Sequence, residues 1–326
     1  MNGGPRPKAD PEPDQLRLLA KIARMYHERG IRQPQIAGDL NISQPRVSRL
    51  LRQAVDIGVV RTVVILPPGT HSGLEREVRE RYALTDVVVV DTDGAGEDVL
   101  PALGAATADY LDTALTGGHT IGISSWSETL VSAVDLMQAR SGRADKVVQI
   151  VGGLGDAAVQ MQATRLTARL AENTGATPVF LSAPGLVGSA ATRRALIDDA
   201  SVADVTALWS TIDTALVGIG RLEPSPLLRR SGNAVGPEEQ RELLSLGAVG
   251  DVCLRYFDAR GAPIVSEFDQ RLVGISRDEL LAIGRRIGVA GGSRKYAAVR
   301  AALLGQWVNV LITDQHTAHR LATERT

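Results

Sequence analysis

The sequence predicts a two-part α/β protein, with a small helical unit at the front and a large open sheet, covered by helices on both faces, behind it. Three observations carry this. From about residue 75 onward, short apolar β-branched runs alternate with stretches of helical period, the pattern of a parallel sheet buried on both faces. The segment before Ile57 carries the helical period alone. Charge divides at nearly the same place: Asp14 to Arg61 holds nine basic residues against four acidic, while the whole chain stands at −1, so the remainder is net acidic.

Residues 1–13, polar and proline-rich, are expected to form a disordered tail. Asp14 can cap a first helix to about Arg29, ended by Gly30, with Leu16, Leu19, Ala20, Ile22 and Ala23 on its apolar face. Ile36 and Leu40, one turn apart, begin a second helix, and Asn41 tolerates the left-handed backbone that stops it sharply. Ser43 offers an N-cap oxygen to a third helix that restarts at Gln44 and Pro45 and carries Val47, Leu50 and Leu51 to about Ile57, where Gly58 breaks it. QPQIAGDLNISQPRVSRLL (Gln33 to Leu51) thus reads as a helix-turn-helix, a unit whose second helix can enter a DNA major groove. The candidate DNA contacts are Gln33, Ser43, Gln44, Arg46, Ser48, Arg49 and Arg52. Arginine and glutamine suit guanine and adenine edges, while serine and further arginines suit phosphates.

Val59 to Leu66, closed by Pro67-Pro68-Gly69, reads as a strand leading into the body. Helices are then expected over Glu75–Tyr82, Leu100–Leu115, Glu128–Arg140, Ala158–Asn173 and Ala190–Ala200. Between them fall strands at Val87–Val90, His119–Ile123, Val147–Val151, Pro178–Leu181 and Thr214–Ile219. Asp251–Phe257 and Pro263–Phe268, around Ala259-Arg260-Gly261, read as an antiparallel hairpin set before the last strand and helix units. The body is an open, Rossmann-like α/β sandwich, and the expected divisions are 1–13, 14–60 and 61–326.

The single cysteine, Cys253, excludes an internal disulfide framework and a multi-cysteine metal site. No apolar run approaches the roughly twenty residues that span a bilayer, and the N-terminus is unlike a signal peptide, so a cytoplasmic protein is expected. The five histidines show no metal spacing and no GxSxG elbow is present. No cofactor, metal ion or catalytic residue is expected.

Ligands of open α/β sheets sit where strand ends face helix starts, so the loops after apolar strands are the places to search. Four qualify. Ser124-Ser125-Trp126-Ser127-Glu128-Thr129 offers hydroxyls and amides suited to a phosphate, although the charge of Glu128 opposes an anion. Gly152-Gly153-Leu154-Gly155-Asp156 and Gly218-Ile219-Gly220 permit close backbone approach. Gly291-Gly292-Ser293-Arg294-Lys295 adds a compact cation, one of only four lysines in the chain. Asp251, Asp269 and Arg271 flank the hairpin, where carboxylates would accept sugar hydroxyls or simply make surface ion pairs.

The order of these segments resembles the SorC family of bacterial sugar-responsive transcriptional regulators over nearly everything after Asp14. The resemblance is carried by QPQIAGDLNISQPRVSRLLRQAVDIGVVR, IGISSWSETL, VVQIVGGLG with QATRLTARLA, ALVGIG, LGAVGDVCLRYFDARG and GVAGGSRKYAAVRAALLGQWVNVLITD, in that order. It implies an effector domain similar in fold to sugar-phosphate isomerases and glucosamine-6-phosphate deaminases, fused to a DNA-binding head. It also implies phosphorylated sugar or polyol effectors and a homotetramer assembled as a dimer of dimers. By motif position Ser124, Ser125, Thr129 and Lys295 would hold the phosphate, Gly153 and Gln162 would contact the sugar, and Asp251, Asp269 and Arg271 would close over it. Ser127 and Glu128 depart from the family, where many relatives carry glycine or a neutral or basic residue.

The partners implied are operator DNA, a small sugar-like effector and further copies of the chain, with no membrane. Two other classes stay open on the residues alone. One is a sugar-phosphate isomerase or kinase-like enzyme, which the absence of an obvious acid–base pair in the loops disfavours. The other is an assembly protein that uses the helical unit for protein contacts.

Overall fold

A computed structural model describes residues 13–60, 71–92, 99–153, 157–225, 228–229 and 235–324, without the side chains of 13–14 and 157–163. The expected tail up to residue 12, all but the first two residues of the strand expected over Val59–Leu66, Leu154 to Asp156 and the Gln162 side chain lie outside them, and Pro13, the last residue of that tail, is instead helical. Contacts divide the chain into two compact units, 1–67 and 68–326.

In the first unit α1 (Pro13–Ala23) continues into a π-helical turn at Arg24–Glu28, closed by the Arg29 amide on the Arg24 carbonyl at 3.1 Å. The first helix is therefore not uniform to Arg29, and Leu16 lies outward at 37% exposure while Leu19 and Ile22 are buried. Next come α2 (Gln33–Asp39) and α3 (Gln44–Asp56). Ile22, Met25, Ile36, Ala37, Val47 and Leu51 form the core that joins the three. Asn41 adopts φ +52 between α2 and α3, as the stop signal requires. Ser43 has the extended backbone of an N-cap but makes no side-chain capping bond. Pro45 removes one of the amides a cap would take, and the Arg46 amide goes to the Ser43 carbonyl instead, at 2.9 Å.

The second unit is built on a parallel sheet. Its strands are β1 (Asp86–Val90), β2 (His119–Ile123), β3 (Ala144–Gln149), β4 (Thr177–Val179), β5 (Thr214–Arg221), β8 (Arg285–Val289) and β9 (Val310–Asp314), in the order β1-β9-β8-β5-β2-β3-β4. Two antiparallel strands, β6 (Ala248–Val252) and β7 (Arg255–Asp258), extend from the end of β5. The helices are α4 (Ser72–Tyr82), α5 (Leu100–Ala114), α6 (Glu128–Leu136), α7 (Ala157–Thr174), α8 (Ala190–Ile197), α9 (Ala200–Ala207), α10 (Pro237–Ser245), α11 (Glu267–Gln270), α12 (Arg277–Ala282), α13 (Tyr296–Leu304) and α14 (Gln315–Thr323).

Strand residues alternate between two cores, which is how an apolar strand becomes buried on both sides. Leu216 of β5 faces the core shared with α5, α6 and α7, while its neighbours Ala215 and Val217 face the one shared with α9 and α13. The expected helix over Ala190–Ala200 is broken, because Asp199 turns extended and caps α9 by accepting from the Ser201 amide at 2.9 Å. The helix from Glu128 stops at Leu136 rather than Arg140, with the Asn173 side chain donating to the Val134 carbonyl at 2.8 Å.

The hairpin needs correction. Its tight turn is Cys253-Leu254, at φ +56 and +63, rather than Ala259-Arg260-Gly261. The latter segment does turn, with the Ala262 amide on Asp258 Oδ1 at 2.9 Å, but beyond a single bridge between Phe257 and Pro263 no strand forms up to Phe268. Ser266 instead caps α11.

A cavity at the strand ends

On the first unit, Val47, Leu51 and Ala54 of α3 are buried, while Gln44, Arg46, Arg49 and Arg52 are exposed. Ser43 is exposed, and Gln33 and Ser48 are half-buried. The outward side of α3 thus carries guanidinium and amide groups at helical spacing, and its inward side is apolar. Such a helix has its packing and its chemistry on opposite faces.

On the second unit, β2 and β5 are neighbours, but the chain leaves β2 toward β3 and leaves β5 toward β8, in opposite directions along the sheet. A crevice opens at the carboxyl ends of strands where the order reverses in this way. A cavity of about 600 Å³ lies there, walled by the loops after β2, β5 and β8, the start of α5 and the β6–β7 turn.

Ser124, Ser125, Thr129, Asp251 and Lys295 all line this cavity. Ser127 caps α6 by accepting from the Leu130 amide at 3.4 Å. Ser125 is 2% exposed and sits in an internal network, donating to the Val151 carbonyl at 3.3 Å and accepting from Gln149 Nε2 at 2.9 Å. Lys295 follows the turn at Gly291-Gly292, which Asp314 fixes by accepting from the Gly292 amide at 2.7 Å and from the Thr317 hydroxyl at 2.6 Å. Lys295 Nζ reaches across to the Ile219 carbonyl at 3.0 Å.

Asp251 lies opposite Gly220 in the β5–β6 pairing. A Cβ at Gly220 would stand 2.0 Å from Asp251 Oδ1, so a side chain there would displace the carboxylate. Asp251 Oδ2 accepts from the Leu254 amide at 2.9 Å, which holds the left-handed turn closed. Burial pushes the Asp251 carboxyl up to about 6, against the Leu254 hydrogen bond and the charge of Lys295, which pull it down. Burial likewise draws the Lys295 ammonium below its ordinary range, opposed by Asp251 and Glu128.

Three expected residues are not among those lining the cavity. Gly153 is buried, and Val151, two residues before it, lines the cavity. Asp269 binds Arg255 at 2.6 Å, and Arg255, 8% exposed, also donates to the Ile275 and Gly274 carbonyls at 3.0 Å. Arg271 is paired with Glu239 and lies over the Phe268 ring. Sequence reasoning passed over Leu100 and Leu103, which reach the cavity from a helix with no motif, and Ser225, which lies beyond the end of β5.

A sugar-binding domain family model, Sugar-bind, matches residues 67–323. The deoxyribonucleoside regulator of Bacillus subtilis (strain 168) is 34% identical over 318 residues, 97% of this chain and 99% of its own length. The sorbitol operon regulator of Klebsiella pneumoniae is 30% identical over 314 residues, 94% of this chain and 98% of its own. The crystal structure of that full-length regulator, SorC, matches with a TM-score of 0.71 at 27% identity, covering 95% of this chain and all of the other.

Proposed function

The chain belongs to the SorC family of sugar-binding transcriptional regulators, and from that premise we propose that its first unit reads operator DNA while a sugar, polyol or sugar phosphate in the second sets how tightly it does so. Like its relatives it is a regulator and not an enzyme. The observation that carries the reading is the cavity at the switch point between β2 and β5, which falls within the segment matched by the sugar-binding family.

In this reading residues 14–60 are a helix-turn-helix domain and residues 61–326 a domain of sugar-phosphate-isomerase type that binds effector and assembles the oligomer. α3 is the recognition helix, with Arg46, Arg49 and Gln44 toward the groove. Ser124, Thr129, Asp251 and Lys295 contact the effector, and Gly153 and Gln162 approach it from the loop after β3. Asp269 and Arg271, expected at that site, are instead engaged by Arg255 and Glu239. A single head covers one half-site, so the working form is a dimer or tetramer acting in the cytoplasm. Effector and DNA binding are coupled reciprocally, each shifting the affinity for the other by the same factor.

Fluorescence anisotropy with DNA from the chain's own upstream region tests this. Sequence-selective binding that weakens steeply with salt and shifts on addition of one sugar-like compound is expected. Binding indifferent to sequence would overturn it.

A further inference from the structure

We infer that the effector of this chain is an uncharged, polyhydroxylated molecule, a free sugar, polyol or nucleoside, rather than its phosphate ester. This rests on reading the cavity as the effector site.

Two of the three cations facing the cavity, Arg221 and Lys295, and the start of α6 are already answered by the protein's own groups. A helix start with unpaired amides favours a negative group, but the start of α6 carries its own anion, Glu128, in the first turn. Ser127 takes up the Leu130 amide there. Among the described residues three basic side chains line the cavity, Arg221, Arg294 and Lys295, and three acidic ones, Glu128, Glu223 and Asp251, stand with them. Arg221 is bound to Glu223 at 2.8 Å. Lys295 donates to the Ile219 carbonyl and feels both Asp251 and Glu128. Arg294 is exposed. A dianion entering this space gains little from a lysine already compensated twice, and is repelled by Asp251, which is 7% exposed.

A hydroxyl meets the same groups without conflict. It can donate to the Asp251 carboxylate and accept from the Lys295 ammonium at once, whereas an ionised phosphate oxygen only accepts. The remaining polar side chains of the lining are the hydroxyls of Ser124, Ser125, Ser127, Thr129, Ser225 and Ser293, with the Trp126 indole N–H and the Cys253 thiol. Ser125, the residue best placed by motif for a phosphate, has its donor committed to Val151 and receives Gln149.

Isothermal titration of the full chain with inorganic phosphate, and with matched pairs of sugars, polyols or deoxynucleosides and their phosphate esters, tests the inference. Wild type should show no saturable phosphate binding, and any ester should bind no tighter than its parent. Glu128→Gln, at an exposed position, should raise affinity for phosphate or an ester about two- to fivefold. Saturable wild-type phosphate binding lost in Lys295→Ala, or an ester preferred tenfold over its parent, would overturn the inference. A bound compound that leaves operator affinity unchanged counts instead against the regulatory reading, and the charge preference still stands.

Discussion

Lys295 and Asp251 converge on consecutive residues of one strand. The ammonium donates to the Ile219 carbonyl at 3.0 Å, and the carboxylate occupies the space that a side chain at Gly220 would fill. They reach β5 from different elements, Lys295 from the turn after β8 and Asp251 from β6. The opposed charges are therefore held by three backbone segments, and the cavity has fixed polarity before any ligand enters.

That arrangement makes stability depend on pH with a definite sign. The Asp251 carboxyl titrates from 3.8 in a model peptide up to about 6 in the fold. Between about pH 4 and 6 the native state therefore keeps a proton the unfolded chain has lost, and stability falls as pH rises through that window. At ~1.4 kcal/mol per unit the loss is about 3 kcal/mol above pH 6. Asp251→Asn keeps an oxygen for the Leu254 amide and deletes the charge. It should gain ~1–3 kcal/mol near neutral pH and almost nothing near pH 4, allowing for the lost attraction to Lys295. Thermal melts of both proteins across that range read this directly, and a gain of constant size would refute it.

The turn between α2 and α3 offers a cleaner backbone test. Asn41 sits at φ +52, where asparagine is tolerated and β-branched residues are strained. Asn41→Gly should change stability by less than about 0.5 kcal/mol, while Asn41→Val should cost ~1–2 kcal/mol in urea unfolding. Equal costs for the two would mean that the asparagine side chain, and not the dihedral angle, sets the turn.

What could be read from the sequence divides along the same line between local and distant causes. The Asn41 stop and the strand at His119–Ile123 are written in neighbouring residues and stand where expected, and residues from three of the four loops picked out after apolar strands line one cavity. The turn at Cys253-Leu254 was hidden, because neither residue favours a left-handed backbone and what closes it is the Asp251 carboxylate. Ser43 carries the right cap chemistry, but its neighbour Pro45 redirects the bonds. Asp269 and Arg271 look alike as site residues until their partners Arg255 and Glu239 are seen, 14 and 32 positions away.

Those partners carry a prediction of their own. Arg255 is buried, and Asp269 is its carboxylate at 2.6 Å, although the Asp269 side chain is 38% exposed. Removing that charge should destabilise the second unit, since a buried cation loses its counterion while keeping its backbone acceptors. Solvent at Asp269 and those acceptors reduce the cost to ~1–2 kcal/mol. Asp269→Asn should thus lower the melting temperature and leave effector affinity within about twofold. A large loss of affinity with unchanged melting would assign Asp269 to the ligand instead.

On α3, stability and binding should separate. Arg46 and Arg49 are exposed while Val47 and Leu51 hold the core, so Arg46→Ala and Arg49→Ala should melt like the parent. Their effects on DNA depend on what each touches. An arginine spanning a guanine edge contributes ~1–3 kcal/mol of discrimination, so its loss should weaken operator binding about 10- to 100-fold and relax preference at one base position. An arginine on a phosphate contributes to all sequences alike, and its loss should reduce the dependence of log affinity on log salt by about one. Anisotropy titrations at several salt concentrations, against the operator and a scrambled duplex, distinguish the two. If both variants bind both duplexes as the parent does, α3 is not the helix that reads DNA.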